Sequence, residues 1–145
     1  MNPHNPYAPP ATEVLDIPIL MPTVDIESLA VSRRWKNKFR LFEKAGGANL
    51  SRLRDLSLSE RIKITFNFLS FLFGPIYYVI KGMWRKGLVL FVVCAGVVLT
   101  LAFGLELAGL GRLNSSLGYG VGIVFATRAN IDYYKKMVLQ QNGWW

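Results

Sequence analysis

Residues Phe66–Gly109 read FNFLSFLFGPIYYVIKGMWRKGLVLFVVCAGVVLTLAFGLELAG, and this stretch decides the fold. Two uncharged runs pass through it: Ile64–Ile80, of 17 residues, and Gly87–Leu105, of 19 residues. About 20 apolar residues cross a hydrocarbon core as an α-helix, so both runs read as membrane segments. Gly87–Leu105 is the stronger of the two. The other is interrupted by Phe73-Gly74-Pro75. Proline removes a backbone hydrogen bond and clashes with the preceding turn, so the helix must kink or break at Gly74 and Pro75. Arg61 and Lys63 precede this run; Lys81, Arg85 and Lys86 follow it. Basic residues within about 15–20 residues of a span favour the cytoplasmic side, so both ends of the broken run prefer the same side. A re-entrant hairpin satisfies that preference, with arms of about eight residues, or about 12 Å each. The alternative is a kinked third span that breaks the charge rule. Non-helical backbone at such depth must be buried in protein or face water.

Toward the C-terminus, Gly96, Thr100, Gly104 and Ala108 recur every four residues. The next apolar run, Leu113–Thr127, has 15 residues and is short for a span. It carries Asn114, Gly118, Gly122, Ala126 and then Asn130 at the same spacing. Small residues in this register let helices approach closely, which predicts an antiparallel pair packed stripe to stripe. Glu106–Arg112 has no positive bias, as expected of a periplasmic turn, and Glu106 reads as an interfacial, solvated carboxylate. Arg128, Lys135 and Lys136 return the chain to the cytoplasm. Ile131–Trp145 reads as a short amphipathic helix anchored by Trp144 and Trp145. The basic turn Lys81, Trp84, Arg85, Lys86 sits at a membrane edge, as solvated charge or as a pocket for a lipid headgroup.

Toward the N-terminus, Ser57 with Glu60 matches a capping box, predicting a helix from about Leu58 into the first apolar run. Leu50, Leu53 and Leu56 stripe the connector before it. Ser28–Lys44 reads as a basic amphipathic helix stopped by Gly46-Gly47. Trp35, Phe39 and Phe42 share one face, and Arg33, Arg34, Lys36, Lys38 and Arg40 occupy most of the rest. Two placements fit: a lipid-facing helix in the headgroup layer, or a helix packed on the protein with its charges solvated. Residues 1–27 hold six of the seven prolines and read as an extended or disordered tail, a linker or a docking peptide. They lack the basic start and apolar core of a signal peptide.

Composition agrees. The chain has 145 residues, 52% of them hydrophobic, and a formal net charge of +8. Residues 28–63 concentrate ten Lys or Arg against three acids, whereas residues 1–27 hold four acids and no Lys or Arg. Beside a membrane span, such a block reads as a contact for anionic lipid rather than nucleic acid. One cysteine, Cys94, forms no internal disulfide, and with a single histidine, His4, far away it builds no zinc site. No cofactor or metal is expected. No Ser-His-Asp set, HExxH, CxxC or paired carboxylates fall in the apolar region, which argues against an enzyme.

The run Phe66-Asn67-Phe68-Leu69-Ser70-Phe71-Leu72-Phe73-Gly74-Pro75-Ile76-Tyr77-Tyr78 precedes Lys81-Gly82-Met83-Trp84-Arg85-Lys86-Gly87. With the later Ala129-Asn130 and Tyr133-Tyr134, it resembles the bacterial family called domain of unknown function 2628. The resemblance covers roughly residues 57–137 and leaves out the basic helix. It implies a small bacterial inner-membrane protein and no reaction.

The expected architecture is all-α: two transmembrane helices plus the Gly-Pro-broken segment, preceded by the basic helix. The parts are a tail (1–27), the basic helix and connector (28–56), a membrane domain (57–130) and a cytoplasmic C-terminal helix (131–145). The expected function is a non-catalytic, membrane-anchored interaction or regulatory subunit with both termini cytoplasmic. Its partners would be anionic headgroups and a homo-oligomer or larger membrane complex, with no nucleic acid. The alternative is a homo-oligomeric channel or transporter component, with Asn67, Ser70 and Asn114 as polar liners beside the break. Those residues equally suit bonds to neighbouring helices.

Overall fold

The computed structural model describes residues 24–145, which form six α-helices and four 3-10 turns with no strand among them. Most of the expected tail therefore lies outside the described residues. Its end is ordered: Asp25 caps a 3-10 turn at Ile26–Ser28, and Ile26 is buried.

Helix α1 is Arg33–Lys44, starting later than the periodicity predicts because Leu29 and Ser32 are extended. It ends where Gly46 takes φ +90°, a left-handed conformation that favours glycine. Phe39 and Phe42 are wholly buried. Phe42 stacks on Tyr134 with ring centroids 4.8 Å apart, and Trp35 meets Tyr133 edge-on at 4.5 Å. Such pairs contribute about 0.5–1.5 kcal/mol each beyond burial. The aromatic face of α1 is thus spent on the protein, as in the second of the two placements.

The Ser57–Glu60 capping box forms: Glu60 N–H donates to Ser57 Oγ at 3.4 Å, and Ser57 N–H donates to Glu60 Oε2 at 2.8 Å. It starts α2, Leu58–Thr65. The helix does not continue into the apolar run as expected, because Phe66 and Asn67 are extended. Asn67 N–H donates to Ala126 O at 3.0 Å, while Asn67 Oδ1 accepts from Ser70 N–H at 3.2 Å. That cap starts α3, Phe68–Phe73. Asparagine competes for nearby amides in this way and so favours helix starts over interiors.

The break falls at Gly74, at φ +45°, with Pro75 opening α4, Pro75–Ile80. A single kinked helix is not formed; two six-residue helices are. Their contacts with the last helix, α6 (Asn114–Met137), trace the path of the chain. Asn67 bonds to Asn130, Phe71 rests against Gly122, and Gly74 faces Phe125. Lys81, just after α4, is back beside Lys136, whose Nζ donates to its carbonyl at 2.6 Å. The two ends of the hairpin therefore meet the C-terminal half of α6, at Asn130 and Lys136, and its tip at Gly74 lies nearer the middle, facing Phe125 five residues, or about 7.5 Å, before Asn130.

Helix α5, Trp84–Leu107, has 24 residues and is the one helix among the described residues long and apolar enough to cross a membrane. Only 11% of its apolar stretch is buried. Helix α6 is as long but carries Arg128, Asp132, Lys135 and Lys136 in its second half, so the structure shows one such helix and not two. Helix α6 also runs straight through the expected boundary at 130/131. No glycine or proline interrupts residues 123–142, and Arg128 reaches Asp132 one turn on, at 3.9 Å. The expected C-terminal helix ends at Met137, and the last residues are not helical.

The stripe-to-stripe pairing is not what forms. Side chains placed at Gly96, Gly104 or Gly118 would meet nothing within 4 Å, and Thr100 and Ala108 are exposed. Between α5 and α6 lies an apolar cleft of about 590 Å³, flanked by Leu90, Cys94, Val97, Leu117 and Val121. The small face of α6 receives the hairpin instead: a Cβ at Gly122 would sit 3.0 Å from the Phe71 ring, and Ala126 is buried. Asn67 and Ser70, bonded to the Ala126 and Phe125 carbonyls, draw α3 onto that face. Gly122→Leu should therefore lose about 1–3 kcal/mol through overpacking. Gly118→Leu, facing open space, should stay within about 0.5 kcal/mol. Thermal unfolding in detergent separates the two; equal losses would restore the stripe pairing.

Candidate functional site

Two polar clusters form at the base of the hairpin, where α1, the Lys81–Lys86 turn and the end of α6 converge. The first centres on Asn130, which is wholly buried. Its Oδ1 accepts from Asn67 Nδ2 at 2.9 Å and from Lys38 Nζ at 3.2 Å. Its Nδ2 donates to the carbonyls of Ile64 at 3.0 Å and Phe66 at 3.1 Å, with Lys63 O at 3.3 Å. One amide thereby closes the end of α2 and holds the start of the hairpin. Asn67 also donates to the Tyr77 hydroxyl oxygen at 2.9 Å. Asn67 and Ser70 are thus helix-to-helix bonding groups rather than liners of a path. Asn114 lies elsewhere, near Glu106.

Beside this network opens a cleft of about 260 Å³, lined by Ser32, Arg34, Trp35, Lys38, Tyr77 and Lys81 among others, and by no carboxylate. The Nζ atoms of Lys38 and Lys81 lie 4.6 and 5.0 Å from the Trp35 ring centroid, and Lys81 Nζ is 4.7 Å from that of Tyr133. Burial, then the charge of Lys81, pushes the Lys38 ammonium down to about 8. Burial and then Lys136 lower Lys81 as well. The structure therefore joins two basic segments that the sequence kept apart, the helix residue Lys38 and the turn residue Lys81. The other helix cations point elsewhere: Arg33 is exposed, and Lys36 and Arg40 pair with Glu27.

The second cluster lies under the C-terminal segment. Tyr78 donates its hydroxyl to Asp132 Oδ2 at 2.9 Å, while the buried Asp132 Oδ1 has no hydrogen-bond partner among the described residues. Lys86 is buried and donates to Gln141 O at 3.0 Å. Trp84 meets Trp144 edge-on at 5.8 Å, and the Arg85 guanidinium lies 5.6 Å from both rings. The turn residues Trp84, Arg85 and Lys86 thus hold the C-terminal segment, whereas Lys81 faces the cleft. Reading the sequence missed Asp132. Its signal was present: it is the only acid after Glu106 and lies one helical turn from Arg128. Among the described residues no group of three or more His, Cys, Asp or Glu converges.

Comparison with known proteins places the same elements in a family. The family described as "Protein of unknown function (DUF2628)" matches residues 24–138, a range that takes in α1 as well as the hairpin. "Uncharacterized protein YigF" of Escherichia coli (strain K12) is 27% identical over 123 residues, covering 79% of this chain and 91% of that protein. The proteins of the same name from Salmonella typhimurium and Salmonella typhi are each 26% identical over the same length and coverage. No solved structure matches.

Proposed function

Because this chain belongs to the DUF2628 family, whose matched relatives carry no activity in their names, we propose a role from its architecture: a non-catalytic, membrane-anchored interaction subunit of the bacterial inner membrane. One observation carries the reading. Helix α5 has 24 residues and a long apolar stretch, little of which is covered by the other described residues, and an open apolar cleft runs along it. A soluble protein rarely exposes an apolar surface of this extent, so lipid and a partner helix are its natural cover.

In this reading α5 spans the bilayer and the first half of α6 returns across it. The hairpin dips in between them, its outer side exposing Phe68, Leu72, Ile76 and Ile80. The basic residues of α1, of the 81–86 turn and of the end of α6 gather at the opposite end from Glu106 and Arg112. The positive-inside tendency then sets that end, and both termini, in the cytoplasm. The partner is another membrane protein or further copies of this chain, and no nucleic acid. The channel alternative draws no support, because the polar groups beside Gly74 and Pro75 are consumed within the protein: Gly74 N–H donates to Ser70 O, and Ser70 Oγ to Phe125 O.

Two measurements on native membranes test this. The full chain should stay in the pellet after an alkaline carbonate wash; release would overturn the membrane placement. Native mass spectrometry in mild detergent should then show an assembly containing a second protein or several copies. A monomer would overturn the subunit role, and a closed homo-oligomer that conducts ions in liposomes would replace it with the channel.

A further inference from the structure

We propose that the cleft between α1 and the base of the hairpin is a phosphate site, filled by the headgroup of an anionic phospholipid. Three cations from two distant segments line it, Arg34 and Lys38 from α1 and Lys81 from the turn after α4, with no carboxylate among the lining residues. Neither lysine makes a salt bridge with an acid among the described residues. Two ammonium groups held over one indole ring repel each other unless an anion joins them. Their positions are fixed by the fold rather than by solvent: Asn130 Oδ1 holds Lys38, and the Trp35 and Tyr133 rings hold Lys81.

Neutral donors complete the site. Tyr77 is only 5% exposed and lines the cleft. Its hydroxyl oxygen accepts from Asn67, and its own proton has no acceptor among the described residues, which leaves it free to donate to an anion. Ser32 sits at the N-cap of α1, yet its hydroxyl caps no amide. Ser32 and Arg34, at the start of this 12-residue helix, both line the cleft, which sets a spare hydroxyl there and the positive end of the helix close by. Lysines, hydroxyls and a helix start together suit the tetrahedral oxygens of a phosphate.

The surroundings select lipid as its source, a step that rests on the membrane placement proposed above. Leu69 stands at the lip of the cleft, 55% exposed, and Leu72 and Ile76 extend the apolar surface along the hairpin. A headgroup held by Lys38 and Lys81 would lay its acyl chains on these side chains.

The test uses the full chain in neutral detergent, with bound lipid counted by native mass spectrometry. Phosphatidylglycerol should be retained over phosphatidylcholine, and inorganic phosphate should compete with it. K38Q/K81Q should weaken phosphatidylglycerol retention by about tenfold or more, since it removes two charge-assisted contacts. R52Q/R54Q, which removes the same charge from the exposed connector, should leave retention unchanged. Should K38Q/K81Q fail to fold, S32A/R34Q alters only exposed residues of the site and should weaken retention several-fold. Equal retention of both lipids, or equal loss in the site and connector variants, overturns the site. Inorganic phosphate binding that depends on Lys38 and Lys81, without selectivity for phosphatidylglycerol, overturns the lipid source. Release of the chain by carbonate, measured separately, would remove the membrane placement while leaving the phosphate result readable.

Discussion

Asn130→Leu is expected to lose about 3–6 kcal/mol of stability, because each buried polar group left without a partner costs about 1–3 kcal/mol. The substitution strips three partners at once, two of them buried and the Phe66 carbonyl part-buried. The carbonyls of Ile64 and Phe66 lose their donor, and the Asn67 amide loses the acceptor that fixes the start of the hairpin. Against a usual total of about 5–15 kcal/mol, that is enough to unfold much of the population. Leucine is similar in volume, so a cavity is not the cause. Asn130→Asp separates the contributions: it keeps both acceptor contacts, with Asn67 and Lys38, but turns a carboxylate toward the two carbonyls. It should fall between wild type and Asn130→Leu in detergent thermal unfolding. A leucine variant within about 1 kcal/mol of wild type would show that the amide is not what joins α2 and the hairpin to α6.

The second large effect is expected at Gly87. A Cβ there would lie 2.6 Å from Tyr78 Cβ and 3.2 Å from its Cγ, and Tyr78 is wholly buried with its hydroxyl tied to Asp132. Neither atom is the free end of a flexible chain, so the side chain or the backbone must move. Helix propensity alone would make Gly87→Ala stabilising by about 1 kcal/mol. Overpacking works against it by about 1–3 kcal/mol, so the net change should be a loss. Gly87→Leu should be worse, separating α4 from α5 and pulling Tyr78 off Asp132. Combining Gly87→Leu with Tyr78→Ala makes room, and the pair should show a favourable coupling of about 0.5–3 kcal/mol in a double-mutant cycle. A stabilised Gly87→Ala variant would mean that the two helices separate easily, and the hairpin would not be rigid.

What could be read from the residues divides along physical lines. Gly74-Pro75 and the Ser57–Glu60 capping box are local backbone chemistry, and both appear where their residue types require. The long apolar helix is legible for the same reason, since its length and composition need no partner. The end of α2 at Phe66-Asn67 was not legible, because apolar character continues through it and tertiary bonds, from Asn67 to Ala126 and from Asn130 to the Ile64 and Phe66 carbonyls, help to stop the helix. A spacing of four marks a face but not what the face meets. Gly96 and Gly104 look into open space, while Gly122 meets Phe71. The aromatic face of α1 suited lipid as well as Tyr133 and Tyr134 until both partners were placed. Asp132 was hidden because a lone acid among basic residues reads as solvated charge until the fold brings Tyr78 to it. Lys38 and Lys81 are legible separately as charges, and only the fold makes them neighbours.

The bond from Asn67 to Asn130 spans 63 residues, and that from Lys38 to Asn130 spans 92. Chains emerge during synthesis at about 5–20 residues per second, so Asn67 exists for about 3–13 s before its partner asparagine is made. Through that interval Asn67 and Ser70 lack the α6 carbonyls and amide that later satisfy them. A half-made hairpin with open polar groups is poorly suited to hydrocarbon, where each such group costs several kcal/mol. In the membrane placement proposed above, it would wait at the membrane surface or inside the insertion machinery and sink only when α6 arrives. Insertion of the hairpin would then be the last step of assembly, although its residues come before both long helices.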